Sequence, residues 1–462
     1  MLDVAIIGAG PAGLAAAATL GSYGVSTLVV DRRSSASRLP KATVASTGTM
    51  ELLRRFGLKE AAWERSIDVE WQAWECTTLA EAAAGSPVEV GLPTRAQAAL
   101  LSPTRPALIP QDELEPLLEE HVRSLPSVRI ERGVEIASLE QIDARYVIGA
   151  DGIRSVVRRE LGIGIDDPGT LAERVAVLFR APLWDLVGEH RYGIYFLDGE
   201  RSLIPAGKPD RWIFAGGQTE GSIREAAGVP DLPIELERVM PVSFGVGLAE
   251  RFREGNAFLI GDAAHRVTPR GGTGMNTAIR DGFDLGWKLA WVLRGWAGDD
   301  LLDSYERERR PVAEFNTERS SRPDGSLLGT AFGLAADIGG RIPHVWVPRG
   351  DRLVSTLDLL CPGLTLFTGS SSTNNLPAAD DFSAPLTIEV LDPISARAIG
   401  LAPGGSLLAR PDGRPLMLDN HDKGGMTPCL PELRRSKAEP QTESGPRWRS
   451  SVPRSPAARH RA

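Results

Sequence analysis

The apolar positions near the start of the chain form two short strand-like runs separated by a helix-like run. Residues 4–7 are apolar, an alanine-rich stretch extends to Leu20, and residues 26–30 form the second run. A strand, a helix and a strand in this order are typical of a βαβ unit in a parallel sheet. The unit also carries an aspartate and three glycines at fixed places, namely Gly8, Gly10, Gly13 and Asp31. The pattern predicts the dinucleotide-binding turn of a Rossmann-type fold.

These four residues suit one particular ligand chemistry. Glycines permit the tight turn and let a pyrophosphate approach the start of the helix, while the acid accepts a hydrogen bond from a ribose hydroxyl. A carboxylate at Asp31 also repels a 2′-phosphate. We therefore expect this turn to hold the adenosine half of FAD or NAD, with NADP disfavoured.

A second strand, loop and helix pattern lies near the middle of the chain. The apolar run 257–260 ends at Gly261 and Asp262, which places a carboxylate at the carboxyl end of a strand. Glycines 271, 272 and 274 follow, and residues 276–293 repeat apolar positions at helical spacing. We expect Asp262 to accept hydrogen bonds from a polyol and the glycine loop to lie close to a flat or charged ligand.

Two further segments carry candidate ligand residues. A strand-like run precedes Asp151 and Gly152, and Asp151 fits both a ligand role and an ordinary helix cap. Gln111 stands at the start of a helix marked by Pro110 and by acidic residues in its first turn.

The segment 171–245 changes to short β-type runs with turns between them, which predicts an antiparallel domain over residues 171–254. Residues 67–109 are expected to add strands near the substrate. Five aromatic residues of this domain either line a pocket or pack in its core, and we expect core packing for at least half of them. They are Tyr192, Tyr195, Phe196, Trp212 and Phe214.

Composition narrows the possible partners. The net charge of −8 and the lack of a basic stripe argue against nucleic acid as a partner. The three cysteines (Cys76, Cys361 and Cys429) form no CxxC pair and have no metal-ligand spacing, so we expect no metal and a reduced, cytoplasmic protein. No run of 18 apolar residues occurs, so we expect no membrane insertion.

The run Gly-Asp-Ala-Ala-His at residues 261–265, followed by Gly-Gly-Thr-Gly-Met-Asn at 271–276, resembles the second FAD-binding motif of flavin aromatic hydroxylases. These are the class A, para-hydroxybenzoate hydroxylase-like FAD-dependent monooxygenases. Asp151-Gly152 and Gln111 match further motifs of the family, and residues 340–416 resemble the C-terminal domain of its polyketide and phenol hydroxylase branch. The resemblance covers about residues 1–416.

The resemblance implies an α/β fold with a Rossmann-type, GR2-like FAD-binding domain in two parts, 1–170 and 255–339. An antiparallel β substrate domain (171–254) is inserted between them, and a thioredoxin-like domain without CxxC (340–416) follows. Residues 417–462 are rich in Pro, Ser and Arg and are expected to be a disordered tail.

Three departures from the family are expected. Residues 131–144 replace a longer hairpin, the connection 218–227 is too short for the helix usually found there, and no apolar strand follows the turn at 410–413.

The pattern and the resemblance together imply FAD as the cofactor and NAD(P)H as the co-substrate. Where the family usually has arginine, this chain has Lys41, which keeps the charge but loses the bidentate fork. Arg38 and Lys41 also fit plain surface cations. The cofactor-binding positions implied are Gly8, Gly10, Gly13, Asp31, Arg32, Arg38, Lys41, Gln111, Asp151, Gly261, Asp262, Pro269, Gly271, Gly272, Gly274, Met275 and Asn276.

The reaction implied is hydroxylation of a phenolic or polycyclic aromatic substrate by O2 through a flavin hydroperoxide, catalysed by a monomer or homodimer. No residue is identified as the catalytic base; His265 is the one candidate, and it fits a cofactor-shell or core histidine as well. Two other classes stay open at this point, an FAD-dependent reductase or dehydrogenase and a catalytically impaired FAD-fold protein.

Overall fold

A computed structural model describes residues 2–198, 201–369 and 381–419. Its helices are α1 (Pro11–Ser22), α2 (Thr47–Arg55), α3 (Lys59–Arg65), α4 (Arg95–Leu101), α5 (Gln111–Ser124), α6 (Val156–Glu160), α7 (Trp184–Val187), α8 (Glu220–Ala227), α9 (Gly274–Leu293), α10 (Asp303–Ser321), α11 (Thr330–Ile338) and α12 (Pro393–Ala398).

The strands fall into five sheets. They are β1 (Leu2–Ile7), β2 (Thr27–Asp31), β3 (Glu70–Cys76), β4 (Ser86–Val88), β5 (Val128–Arg132), β6 (Ala144–Gly149), β7 (Ile165–Asp166), β8 (Thr170–Arg180), β9 (Tyr192–Leu197), β10 (Arg201–Gly207), β11 (Arg211–Ala215), β12 (Glu235–Gly245), β13 (Gly247–Ala249), β14 (Arg253–Glu254), β15 (Ala257–Leu259), β16 (His265–Arg266), β17 (Trp346–Arg349), β18 (Arg352–Ser355), β19 (Leu364–Gly369), β20 (Leu386–Leu391), β21 (Ser406–Ala409) and β22 (Pro415–Asp419).

The central sheet has the strand order β14-β15-β6-β1-β2-β5. Strands β15, β6, β1, β2 and β5 run parallel, and β14 is an antiparallel edge strand. Helices α1 and α9 cross closely, because a Cβ added at Gly282 would lie 2.3 Å from the carbonyl oxygen of Ala12. The predicted βαβ unit is confirmed, and its carboxyl edge collects the turns that follow β1, β2, β6 and β15.

The seven-stranded sheet has the order β12-β8-β11-β10-β9-β3-β4. Strands β3 and β4 come from residues 70–88, so the expected contribution of strands by the segment 67–109 is confirmed. Tyr195, Trp212 and Phe214 are fully buried in one core, whereas Phe196 points to the opposite face and is half-buried. Core packing therefore accounts for at least half of the five aromatic residues, as predicted.

The expected loss of a helix in the connection 218–227 is wrong, because α8 occupies it. Thr219 and Ser222 form a capping box at its start, and Gly228 ends it in the left-handed conformation at a φ of +74°. Ile223 packs one face of this short helix into the core of the seven-stranded sheet. Eight residues suffice because both helix ends have their own capping signals.

The C-terminal sheet has the order β20-β19-β21-β22 and carries α12. The expected absence of a strand after the turn at 410–413 is wrong, since β22 runs to Asp419, three residues past the expected end at Leu416. Gly413, at a φ of +81°, reverses the chain so that β22 pairs antiparallel with β21. Residues 420–462 of the expected tail, with Cys429, lie outside the described residues. Across the part of the chain that is described, none of the helices has the length and apolar composition to cross a bilayer.

Candidate functional site

The turn after β1 leaves open space where its second glycine stands. A Cβ at Gly8 or at Gly13 would lie about 2 Å from a backbone oxygen, 2.2 Å from that of Ala150 and 1.9 Å from that of Gly8 respectively. A Cβ at Gly10 would meet nothing within 4 Å, and no side chain caps the helix that begins at Pro11. The first and third glycines therefore shape the turn, while the second leaves free N–H groups and room for a phosphate.

Asp31 ends β2 beside this turn and is already bonded within the protein. Its Oδ2 accepts from the N–H of Ala9 at 2.8 Å, and its Oδ1 accepts from the N–H of Arg33 at 2.8 Å. Burial acts to raise the pKa of Asp31, but the hydrogen bonds from Arg33 and Ala9 leave that pKa below its ordinary value. The carboxylate thus stays ionised. The Arg33 side chain also donates to it at 3.3 and 3.4 Å, and a ribose hydroxyl would replace one of these two longer bonds.

The loop after β2 carries the three cations predicted to contact the cofactor. Arg32, Arg38 and Lys41 are all exposed and make no ion pair within the described residues. The loop itself is held by α5, because the N–H of Gln111 donates to the oxygen of Ala42 at 2.8 Å. The side-chain amide of Gln111 donates to Glu115 at 2.6 Å and so is already in use.

Asp151 follows β6 at the same edge of the sheet. Its Oδ2 accepts from the N–H groups of Val156 and Val157 at 2.6 and 3.2 Å, so the cap interpretation is correct for that oxygen. Its Oδ1 is buried and has no partner among the described residues. A buried carboxylate oxygen without a donor is free to accept a hydrogen bond from a bound ligand or a water.

Asp262 follows β15 and faces an open cleft. Gly261 reaches a φ of +58°, and a Cβ there would lie 3.0 Å from that of Ala12. The Asp262 side chain is exposed to the cleft and accepts no hydrogen bond within the described chain. Although its surface is exposed, the Asp262 carboxyl has many protein atoms around it, and this desolvation raises its pKa against the opposing charges of His265 and Lys41. A hydroxyl-rich ligand in the cleft would supply the missing donors.

The glycine loop lies between β16 and α9. Gly271 and Gly272 have φ values of +79° and +62°, and the N–H of Gly272 donates to the oxygen of Pro269 at 3.1 Å. Helix α9 begins at Gly274, two residues earlier than the apolar pattern predicted, and no side chain caps its first turn. The side chain of Met275 is buried beneath this turn. The positive end of a 20-residue helix is thus free to face a ligand.

Asn276 holds the loop rather than facing the cleft. Its Oδ1 accepts from the N–H of Ser46 at 2.8 Å, and its Nδ2 donates to the oxygen of Gly272 at 2.9 Å. The hydroxyl of Ser46 in turn donates to Asp337 of α11 at 2.8 Å, and the N–H of Gly48 donates to the other oxygen of Asp337. No local pattern indicates a role for Ser46 or Asp337, because Ser46 lies 230 residues from Asn276 and 291 residues from Asp337 along the chain.

His265 lies in a buried ion cluster, which we call the Asp281 cluster (His265, Asp281 and Arg309). Its Nε2 lies 2.6 Å from Oδ2 of Asp281, whose Oδ1 accepts from Arg309 at 2.8 Å. The Oδ2 of Asp281 also accepts from the N–H of Gly261 at 3.2 Å. Burial acts to raise the pKa of Asp281, but His265 and Arg309 hold it below its usual value. With 1% exposure, His265 suits support of the turn better than contact with a substrate.

The sequence-predicted residues thus meet at one place. Gly10, Asp31, Asp151 and Asp262 follow four parallel strands of one sheet, and the uncapped start of α9 completes the edge. Open space at Gly10, an unpaired oxygen on Asp151 and an unbonded carboxylate at Asp262 fit a long ligand with phosphate and polyol parts. An FAD molecule has this order of groups.

Comparison with known proteins agrees with this geometry. A family model described as "FAD binding domain" matches residues 1–142 and 138–320. Tetracenomycin B2 monooxygenase-dioxygenase of Streptomyces olivaceus is 31% identical over 509 residues, covering 89% of this chain and 94% of that protein. An aklavinone 12-hydroxylase of Streptomyces purpurascens is 32% identical over 505 residues, with the same coverage of both chains.

Solved structures show the same fold. The structure of a ternary complex of aklavinone-11 hydroxylase with FAD and aklavinone superposes on this chain with a TM-score of 0.79 at 29% sequence identity. The match covers 91% of this chain and 95% of that one. The alignment with the tetracenomycin enzyme is 509 positions long, but it includes only 89% of this 462-residue chain. The remaining positions are gaps in this chain, which therefore has shortened segments.

Proposed function

The chain belongs to the FAD-dependent aromatic monooxygenases, in the polyketide and phenol hydroxylase branch, and from this premise we propose that it hydroxylates a phenolic or polycyclic aromatic substrate. FAD is its cofactor, and NAD(P)H and O2 are its co-substrates. The observation that carries the proposal is the convergence of Gly10, Asp151, Asp262 and the uncapped start of α9 on one sheet edge.

The residues of this chain take distinct parts in binding. The turn at Gly8–Gly13 and the start of α1 hold the pyrophosphate, and Asp31 accepts from the adenosine ribose. Asp262 accepts from the ribityl hydroxyls, and the loop 271–276 lies along the isoalloxazine. Arg38 and Lys41 contact the FAD, and Gln111 lies along the flavin chain. When bound, FAD accepts a hydride from NAD(P)H and activates oxygen for transfer to the aromatic ring.

The start of α9 supplies the electrostatic contribution. Its first-turn N–H groups carry partial positive charge and have no side-chain cap, so they stabilise negative charge on a ring beside them. Asn276 keeps this turn in place through Ser46 and Gly272. His265 holds Asp281, which in turn accepts from the N–H of Gly261, and we assign His265 this supporting part rather than that of the base.

The domain assignment follows the same proposal. Residues 171–245, together with β3 and β4, form the substrate domain, whose half-buried face carries Phe196. The predicted end at residue 254 is too late, because β13 pairs with β7 and β16, and β14 pairs with β15 of the central sheet. Residues 340–416, extended to the end of β22 at Asp419, form a thioredoxin-like domain without CxxC. Its role is structural, because no cysteine pair is present for redox chemistry.

The decisive experiment measures oxygen transfer. The purified protein should be yellow, and phenols or polycyclic aromatics should accelerate its NAD(P)H oxidation. Labelled O2 should place one labelled oxygen in the product. NAD(P)H oxidation without label would indicate a reductase or dehydrogenase instead, and a colourless protein that does not take up FAD would indicate the impaired alternative.

Asp262 permits a test of the cofactor assignment without turnover. Because its carboxylate bonds nothing within the described chain, we expect Asp262→Ala to leave the thermal midpoint of the apoprotein unchanged while weakening FAD binding about tenfold or more. Asp31→Ala is the contrasting variant, since it removes hydrogen bonds from Ala9 and Arg33 and should lower the apoprotein midpoint. Equal FAD affinity of wild type and Asp262→Ala would rule out the ribityl assignment.

A further inference from the structure

Arg319, in the last turn of α10, is a buried cation without a carboxylate partner. Arg319 is 8% exposed, and its Nη2 donates to the hydroxyl of Thr273 at 3.3 Å. Its Nε is buried and has no hydrogen-bond partner among the described residues. The other buried cations of the described residues are bonded differently. Lys288, Arg309 and Arg410 donate to carboxylates, and Arg158 donates to two carbonyl oxygens.

The guanidinium of Arg319 is aimed at the glycine loop. A Cβ added at Gly271 would lie 2.2 Å from its Nη2, so the group packs directly against the loop backbone. It lines a small cavity of about 40 Å³ together with Gly272, Asn276 and Arg280. A cavity needs roughly 10–15 Å³ to hold one water, so this one admits a single small group but not an aromatic ring.

The charges around the cavity favour an anion. A buried guanidinium without a counter-charge is costly, and the uncapped first turn of α9 adds positive potential at the same place. Asp337, which also lines the cavity, makes no ion pair with Arg319. Its two oxygens accept from Ser46 and Gly48, and its charge acts on Arg280, whose pKa burial lowers and Asp337 raises. Burial is the dominant influence on Arg319 and lowers its pKa, with no carboxylate raising it.

We propose that Arg319 and the first turn of α9 form a binding site for one singly charged group, either a free halide or the ionised phenol or carboxyl of a bound substrate. In the second case the inference rests on the proposed function, and Arg319 determines specificity by favouring the ionised form of the substrate. The site lies on the side of the glycine loop that faces α10 and α11.

The halide is tested on the FAD-loaded protein without turnover. We expect the thermal midpoint of the wild type to rise when gluconate is replaced by chloride or bromide, and Arg319→Met to abolish this rise. In gluconate, Arg319→Met should have a midpoint equal to or above that of the wild type, because it removes an uncompensated buried charge. Arg322→Gln is the matched control, three residues later on an exposed, paired arginine, and should behave as wild type.

The substrate source is tested by equilibrium binding to the oxidised protein. A nitrophenol, whose ionised form has its own visible band, should bind as the phenolate to wild type and about tenfold more weakly to Arg319→Met. Its methyl ether should bind both proteins equally. The proposal is overturned if Arg319→Met lowers the midpoint in gluconate, or if wild type and variant respond alike to both the halide and the phenolate. Failure of oxygen transfer would leave these binding results unaffected.

Discussion

Helix α9 carries one buried ion cluster near its middle and another near its C-terminal end, and the two contact different parts of the molecule. The Asp281 cluster reaches the backbone of Gly261 and so supports the turn that presents Asp262. The second, the Lys288 cluster, comprises Asp284, Lys288, Glu308, Arg410 and Asp412. It joins α9 and α10 to the turn between β21 and β22.

The difference shows how one helix can contribute both to ligand binding and to the stability of the fold. Asp281 is fully buried and is shared by a histidine, an arginine and a backbone N–H, so it links the Gly261–Asp262 turn to α10. In the Lys288 cluster three carboxylates lie within 4.8 Å of one another, and Lys288 and Arg410 donate to them. We therefore expect damage to the first cluster to affect both FAD binding and stability, and damage to the second to affect stability alone.

The largest effect is expected for Asp281→Ala. Removing this carboxylate leaves Arg309 as an uncompensated buried charge and frees the Gly261 N–H, which should cost about 3–5 kcal/mol of unfolding free energy. FAD affinity should fall at the same time. Denaturant unfolding and flavin titration measure the two quantities, and unchanged FAD affinity in a folded Asp281→Ala protein would contradict the link between this cluster and the cofactor turn.

Lys288→Met should show that the two clusters on α9 have separate effects. The Lys288 side chain is fully buried, and its Nζ donates to Asp284 at 2.7 Å and to Glu308 at 3.1 Å. Its loss leaves Asp284 without its cation, so we expect about 3 kcal/mol lower stability. FAD affinity should equal that of wild type when titrated below the unfolding transition. A matching loss of affinity would mean that the two clusters are coupled along the helix.

Lowering the pH tests the Lys288 cluster by itself, because one of its carboxyl groups, Glu308, has a pKa below its ordinary value. Burial acts to raise the pKa of Glu308, but Arg410 and Lys288 lower it from 4.5 to about 2. A depressed pKa contributes stability above the unfolded value and loses it as the pH falls toward the folded value, so about 2 kcal/mol should be lost between pH 6 and pH 3. Glu308→Gln, although less stable at pH 6, should show a correspondingly smaller fall in unfolding free energy over that range.

Features with local signals were predicted correctly from the sequence. The glycines at 8, 10 and 13, the acid at 31 and the Gly261-Asp262 turn each follow an apolar strand, so their position at the sheet edge follows from chain order. The cap at Asp151 is local in the same way. Helix α8 is the exception. The connection 218–227 is short for the family, which predicts no helix there, whereas the capping box at Thr219 is a local signal that favours one.

Features that depend on distant partners were not predictable. Asp337 meets Ser46 across 291 residues, and Arg309 meets Asp281 across 28, with no periodic pattern linking either pair. The unpaired state of Arg319 is likewise a property of the packed structure, since its sequence neighbours Glu318 and Arg322 pair with each other. Burial and pairing of charges are decided by tertiary contacts, which local propensity does not record.

The smallest effect is expected at the end of the chain, and it tests where the C-terminal sheet ends. Stopping the chain after Asp419 should leave FAD binding and the thermal midpoint unchanged, because residues 420–462 have the composition of a segment that buries little apolar surface. Stopping after Leu416 removes the part of β22 that pairs with residues 406–408 of β21, and should lower the midpoint by several degrees without changing FAD affinity. Equal midpoints for the two truncations would show that the last residues of β22 add nothing to the sheet, and a lower midpoint after Asp419 would show that the tail packs.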